Sequence, residues 1–242
     1  MPVVGYLSTG TAQTDAEPYL IPFRQGLNTL GYTEDRNVAI EYRWTEFKNE
    51  RLQELAADLI RLQVNVIATI GGTPPALVAK TMTSTIPIIF YSGVDVVRSG
   101  LVASLNRPGG NLTGIAALQA QLIAKRIELL SETVHKAKVI TLLVNPSNRY
   151  TDTETEIPYG GARSLDLELH VVRATSATEF DAAFKEIKDL RTEGFLVSAD
   201  LFLYSQREKL VSLANLHALP TIYPWREYVT AGGLMSYGPS LL

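Results

Sequence analysis

Short apolar, β-branched runs alternate with amphipathic stretches along almost the whole sequence, and this alternation limits the possible folds more than any other feature. Strands are expected at Val3–Ser8, Val38–Arg43, Val64–Ile70, Ile86–Tyr91, Leu112–Ala116, Lys138–Val144, Leu169–Arg173, Gly194–Ser198, Thr221–Tyr223 and Gly233–Tyr237. Val-Ile-Ala-Thr-Ile at 66–70 and Val-Ile-Thr-Leu-Leu-Val at 139–144 are apolar on both faces, as in a parallel sheet covered by helices on both sides. Helices are expected at Pro18–Leu30, Glu50–Leu62, Pro74–Thr83, Val97–Asn106, Gln119–Thr133, Thr151–Leu165, Glu179–Leu190 and Gln206–His217. Leu52, Leu55, Ala56, Leu59 and Ile60 follow helical spacing and set one face inward. Gly31 and Gly194 read as stops at helix C-termini. The expected class is a doubly wound α/β architecture with right-handed crossovers.

Ten strands are many for one open sheet, and the chain has a natural break. Arg107-Pro108-Gly109-Gly110-Asn111 precedes a short strand and a fresh helix. The expectation is two similar Rossmann-like lobes with a ligand cleft between them: 1–114 joined by a returning segment at 230–242, and 115–229. Glycine-rich crossings at Gly110–Gln119 and Gly232–Gly238 would form the hinge. At 242 residues, the chain is long enough for such lobes without metal or disulfide support.

Absent residues exclude several chemistries. The sequence contains no cysteine, so disulfides, iron–sulfur ligation and cysteine nucleophiles drop out. His135, His170 and His217 fall at element ends away from the candidate loops and read as surface or capping residues. No acid/histidine cluster suggests a metal site, and no base stands where a nucleophilic triad would need one. Walker-type and nucleophile-elbow motifs are missing, and Gly5-Tyr6-Leu7-Ser8-Thr9-Gly10 lacks dinucleotide-loop spacing. Neither catalytic residues nor a cofactor is expected. A net charge of −3 gives no reason to expect nucleic acid. Apolar runs are too short to cross a bilayer. The opening Met1-Pro2-Val3-Val4 is already strand-like, without a leader: either the chain is cytosolic or a leader lies outside this sequence.

In open α/β sheets, ligands sit beyond the carboxyl ends of strands. Those loops are Ser8-Thr9-Gly10-Thr11, Gly71-Gly72-Thr73-Pro74-Pro75, Ser92-Gly93-Val94-Asp95, Asn145-Pro146-Ser147-Asn148, Ala199-Asp200 through Tyr204, and Tyr223-Pro224-Trp225-Arg226. With Thr73 as N-cap and Pro74 at the first helical position, the glycine pair offers backbone N–H groups to an anion, or is simply a capped turn. Tyr204, Tyr223, Trp225 and Tyr237 offer an aromatic platform, and Asp95 or Asp200 could pair with an ammonium group. Packing of Trp225 and Tyr228 against their own lobe is the competing reading.

Two long segments carry a resemblance. Gly-Leu-Val-Ala-Ser-Leu-Asn-Arg-Pro-Gly-Gly-Asn-Leu-Thr-Gly at 100–114 and Ala-Gly-Gly-Leu-Met-Ser-Tyr-Gly-Pro at 231–239 resemble bacterial ABC-transporter substrate-binding proteins of the type I periplasmic-binding-protein-like, tryptophan/tyrosine-uptake kind. Further matches are the opening Val3–Ser8, the helix from Phe23 to Leu27 with Leu30-Gly31-Tyr32, and Pro220–Tyr228. The resemblance implies two lobes closing on a small ligand without catalysis. It also implies export to the periplasm, with the signal peptide outside this sequence, and delivery to an ABC permease in the membrane. Its ligand, an amino acid or aromatic carboxylate, would meet Ser8, Thr9, Gly72, Thr73, Ser92 and Asp95 in one lobe, and Asn145, Asp200, Tyr204 and Tyr223 in the other. Trp225 and Tyr237 join these from the aromatic platform.

The sequence departs from the family pattern in three places. Val96 and Leu201 replace the prolines that usually follow the two cleft aspartates, so those loops are expected to be less rigid or differently aimed. Ser240 reads as the N-cap of a further helix, yet the sequence stops at Leu242. An exposed apolar groove is therefore expected where that helix would pack. Two other readings share the architecture: the effector-binding domain of a cytosolic transcription regulator, and a small-molecule α/β enzyme using Asp95 or Asp200. No helix-turn-helix precedes Val3, and no catalytic motif surrounds either acid.

Overall fold

The computed structural model describes residues 1–135, 137–147 and 151–239. The first part of the chain runs β1 (Val3–Ser8), α1 (Ala12–Asp15), a π-helical turn (Ala16–Leu20), α2 (Ile21–Thr29), β2 (Ala39–Trp44), α3 (Leu52–Arg61), β3 (Val66–Ile70), α4 (Thr73–Met82), β4 (Ile88–Ser92) and β5 (Leu112–Ala116). The second runs α5 (Gln119–Thr133), β6 (Val139–Val144), α6 (Thr151–Ser164), β7 (Glu168–Arg173), α7 (Phe180–Asp189), β8 (Gly194–Val197), α8 (Leu201–Ser205), α9 (Arg207–Leu216), β9 (Thr221–Tyr223), α10 (Arg226–Thr230) and β10 (Met235–Ser236). The strands form two five-stranded sheets, β2-β1-β3-β4-β5 and β10-β9-β8-β6-β7, with every pairing parallel. Read from its other edge, the second sheet repeats the order of the first.

Two compact units result, Met1–Leu118 and Gln119–Ser240. The division falls beyond β5, so this strand completes the first sheet rather than opening the second unit. The expected return of 230–242 to the first lobe is not seen in the described residues. Instead, Met235 pairs with Ile222 and Ser236 with Tyr223, which keeps β10 at the edge of the second sheet. The N-cap expected at Ser240 and the chain end at Leu242 lie outside the described residues.

Each sheet is packed on both faces, as its two-sided apolar strands require. In the first unit, Leu7, Ile67, Ile88 and Phe90 meet Leu52, Leu55, Ala56 and Leu59 of α3 and Ala76 and Ala79 of α4. Ile60 is only partly buried against the same core. The opposite face sets Val4, Val38 and Ala68 against Phe23 of α2. In the second unit, Ile140, Leu142, Leu196 and Ile222 meet Ile123, Ile127 and Leu130 of α5. Fully burying each such side chain stabilises the fold by roughly 1.5–3 kcal/mol.

Two expected elements differ. Val97–Asn106 is a series of turns, not a helix. Asp95 accepts from the Val97 and Arg98 N–H groups, closing a single turn, and Gly100 at φ 72° then turns the chain away. Gly194 is the first residue of β8, not a helix cap. A Cβ there would lie 2.9 Å from Leu130 Cδ2, so the glycine lets α5 approach the sheet.

Candidate ligand-binding site

In both sheets the strand order reverses beside the first strand of the unit, between β1 and β3 and between β6 and β8. Crevices at the carboxyl ends of such strand pairs are where doubly wound sheets bind ligands. Ser8, Thr9 and Gly71 stand at the first switch point, Asn145 and Asp200 at the second.

The first switch point is a tight hydroxyl cluster. The Thr9 hydroxyl donates to the Gly71 carbonyl at 2.6 Å, and Ser8 Oγ accepts from the Gly10 N–H at 3.0 Å. Gly71 has φ 81°, and a Cβ on it would lie 2.4 Å from Thr9 Oγ1. Backbone conformation and space therefore both demand glycine. Gly72, at φ 109°, is the N-cap of α4, and Thr73 is its first helical residue. This corrects the capping role expected of Thr73. Its hydroxyl instead meets the Ser92 hydroxyl at 2.6 Å, linking the loops after β3 and β4. Pro74 and Pro75 carry no N–H, so this helix end offers an anion fewer donors than the glycine pair suggested. Asp95 is partly exposed, and its Oδ1 is occupied by the Val97 and Arg98 amides at 2.9 and 3.0 Å. The adjoining Val96 points into the core, which is what the residue in the usual proline position does here.

The second switch point joins a polar pair to an aromatic stack. Asn145 Nδ2 donates to Asp200 Oδ1 at 3.2 Å. The same Asp200 oxygen caps α8, accepting from the Leu203 N–H at 3.0 Å. One turn along α8, Tyr204 meets Trp225 edge-on at 5.4 Å and Tyr228 at 6.2 Å. Tyr228 stacks on Tyr223 at 4.6 Å, and the Arg207 guanidinium lies 4.9 Å from the centre of the Tyr204 ring. The Tyr223 hydroxyl, Trp225 Nε1 and the Tyr228 hydroxyl are buried without a hydrogen-bond partner among the described residues. Burial pushes the Tyr223 hydroxyl up to about 12 and raises that of Tyr228 well above the ordinary value. Buried donors of this kind are costly unless something pairs with them.

Tyr237 stands apart from this stack. Its side chain is 40% exposed. Its backbone N–H donates to the Tyr223 carbonyl, and its carbonyl accepts from Arg126. Asn148 lies outside the described residues. Sequence reasoning missed Arg207 and left Tyr228 as packing; an aromatic two residues into α10 was the available signal.

A second aromatic group also went unnoticed. Asp15 is fully buried, and its Oδ2 accepts from the Tyr6 hydroxyl and from Trp44 Nε1, each at 3.0 Å. Tyr42 stacks on Trp44 at 5.1 Å and lies 5.5 Å from Tyr6. Burial raises the Asp15 carboxyl above the usual carboxylate range, against the opposing pull of hydrogen bonds from Ser8, Tyr6 and Trp44. The period-two spacing of Tyr42 and Trp44 opposite Tyr6 was legible; the acid beneath them was not. Among the described residues, no group of three or more His, Asp or Glu side chains could hold a metal ion.

Residues 21–240 match the model of the family described as ABC transporter substrate binding protein. The chain belongs to that family. A curated relative, the tyrosine-binding protein of Clostridioides difficile strain R20291, is 26% identical over 216 residues, 89% of this chain. The chain spans 61% of that relative's length. Two solved structures share the fold at 23% identity, each matched over 97% of this chain and 78% of its own. They are a conserved domain protein of Vibrio cholerae (TM-score 0.86) and a streptococcal ABC domain in complex with L-Trp (TM-score 0.81). Among the described residues, no helix is long and apolar enough to cross a membrane.

Proposed function

We propose that this chain is the solute receptor of an ABC importer and takes an aromatic amino acid or a related aromatic carboxylate. One observation carries the reading: the Asn145–Asp200 pair at a strand switch point stands beside the Tyr204, Trp225 and Tyr228 rings. Rings supply stacking area, the buried indole and phenol donors suit a ligand carboxylate or hydroxyl, and Asp200 suits an ammonium group. The tyrosine named for the curated relative and the L-Trp bound by a structural neighbour support this ligand class. So do the benzoate and 3,4-dihydroxybenzoate bound by two more distant neighbours.

In this reading the loops at Ser8, Thr9, Gly72, Thr73, Ser92 and Asp95 form the ligand-facing surface of the first unit. Asn145, Asp200, Tyr204, Tyr223 and Trp225 form that of the second, with Tyr237 at its edge. The protein binds and releases its solute unchanged, outside the cytoplasmic membrane, and hands it to a membrane permease.

Thermal unfolding against L-tyrosine, L-tryptophan, benzoate and a panel of sugars tests this proposal. A bound ligand at about 100 times its Kd stabilises the fold by about 2.7 kcal/mol. An aromatic solute is expected to raise Tm by several degrees. A rise with sugars alone contradicts the ligand class.

A further inference from the structure

Away from the strand carboxyl ends, the second unit carries another concavity. It is a cavity of about 330 Å³ beside the starts of β8 and β9, where α7 and α9 end. Phe184, Leu216 and Leu219 give it an apolar wall. Lys188, Arg191, His217 and Thr192 give it a basic, hydrogen-bonding rim. Phe184 is almost fully buried, and its ring stacks on His217 at 5.6 Å.

Basic residues gather at helix C-termini to complement the carbonyls there, so the first question is whether these residues are needed as caps. They are not. At the end of α7, Thr192 N–H donates to the Ile187 carbonyl and Arg191 N–H to that of Lys188. At the end of α9, Leu219 N–H donates to Ala214 and Ala218 N–H to Asn215. Both ends are thus closed by their own backbone in the Schellman pattern. Each uses a left-handed residue other than glycine, Arg191 at φ 54° and Ala218 at φ 50°. The side chains of Lys188, Arg191 and His217 have no ion pair or hydrogen bond among the described residues. The adjacent acid Glu193 is turned away, accepting from the backbone of Lys138 and Val139.

We propose that this cavity is a second binding site, for a small organic anion: a carboxylate held by Lys188 and Arg191, with an apolar body lying on Leu216 and Leu219 beside the Phe184–His217 stack. Its volume lies at the lower end of the range for small-molecule pockets, about 300–1,000 Å³. Apolar wall and unpaired cations together select an amphiphilic monoanion over either a bare inorganic anion or a neutral apolar molecule. The site is independent of the aromatic stack, since none of its lining residues belongs to the loops at the strand carboxyl ends.

The test is an amide-resolved NMR titration of the chain with hexanoate, hexan-1-ol and acetate. Hexanoate, being aliphatic, is chosen to spare an aromatic site. It is expected to shift the amides of Lys188–Thr192 and His217–Leu219 saturably, and to bind about tenfold or more tightly than the alcohol or acetate. High salt is expected to weaken it, because the rim charges are exposed. The Lys188→Gln/Arg191→Gln variant, with the sheet amides of its unit unmoved, is expected to lose this binding. Equal binding of the alcohol, shifts confined to the Tyr204 and Trp225 loops, or undiminished binding by the variant would each overturn the proposal. Should that variant misfold, the salt dependence and the hexanoate-to-hexanol ratio on the native chain still decide it.

Discussion

Asn145 Nδ2 reaches Asp200 Oδ1 at 3.2 Å, tying the loops after β6 and β8 together at the point where the second sheet changes direction. Fifty-five positions separate the two residues in sequence. Because the same Asp200 oxygen caps α8, the contact also fixes where Tyr204 stands.

Asp200 therefore has two roles that substitution can separate. Asparagine caps helices about as well as aspartate, so Asp200→Asn is expected to change stability by less than about 0.5 kcal/mol. Asp200→Ala loses the cap and is expected to cost about 1 kcal/mol. Both are expected to weaken an amine-bearing aromatic ligand by about tenfold or more, through loss of the charge-assisted bond. Urea unfolding measures the first effect and calorimetric titration the second. Unchanged ligand affinity in Asp200→Asn removes the ammonium role.

Gly71→Ala is expected to destabilise the first unit by about 1–3 kcal/mol, since it strains a left-handed backbone and crowds Thr9 Oγ1. Gly110 is also left-handed, at φ 65°, but a Cβ there meets nothing within 4 Å. Gly110→Ala is therefore the control for backbone strain alone and is expected to cost less. Equal losses in the two variants would show that the Thr9 contact is unimportant.

Asp15 gives the first unit a pH dependence of predictable sign. Its folded carboxyl is raised above the unfolded value by burial, so the folded state holds the proton more tightly. That contribution is fully present below the ordinary carboxylate range and is lost as pH rises through the folded value. Asp15→Asn has no such proton and keeps an acceptor for Tyr6 and Trp44. Its stability relative to the native chain is expected to grow with rising pH, measured by urea unfolding from about pH 4 to 8. Asp15→Ala leaves the buried Tyr6 hydroxyl and the partly buried Trp44 Nε1 unpaired and is expected to cost about 2 kcal/mol at any pH.

Arg126 is 1% exposed, and its guanidinium bonds the Tyr237 carbonyl at 2.7 Å and Gln119 Oε1 at 2.6 Å. It ties the start of α5 to the segment leaving β10. Arg126→Met keeps the volume but orphans both acceptors and is expected to cost about 2–4 kcal/mol. Proteolysis after Tyr237 is expected to rise with it. A variant as stable and as resistant as the native chain contradicts this anchoring role.

The architecture was largely legible because two-faced apolar strands and amphipathic helices leave separate periodic traces. The ten strands lie where the sequence places them, to within a few residues at their ends. The expected helix at Val97–Asn106 failed for a local reason: the Asp95 cap closes one turn, and Gly100 prevents another. The candidate loops followed from topology alone, which is why Asn145 and Asp200 could be named together. Asp15 could not, because its contact with Trp44 joins elements far apart in sequence, whereas Arg207 lies only three positions from the Tyr204 ring it meets. Thr73 was misread as a cap because its partner, Ser92, lies on a different strand end.

The chain contains two tryptophans, Trp44 and Trp225, so its indole N–H spectrum holds two signals that a Trp44→Phe variant assigns. Trp44 donates to buried Asp15, whereas Trp225 Nε1, beside the proposed site, has no partner among the described residues. Titration with L-tyrosine or L-tryptophan is the most direct measurement. The account predicts a saturable shift of the Trp225 indole signal with that of Trp44 unmoved. A Trp225 signal unchanged at saturating concentrations of both amino acids and of benzoate would contradict it.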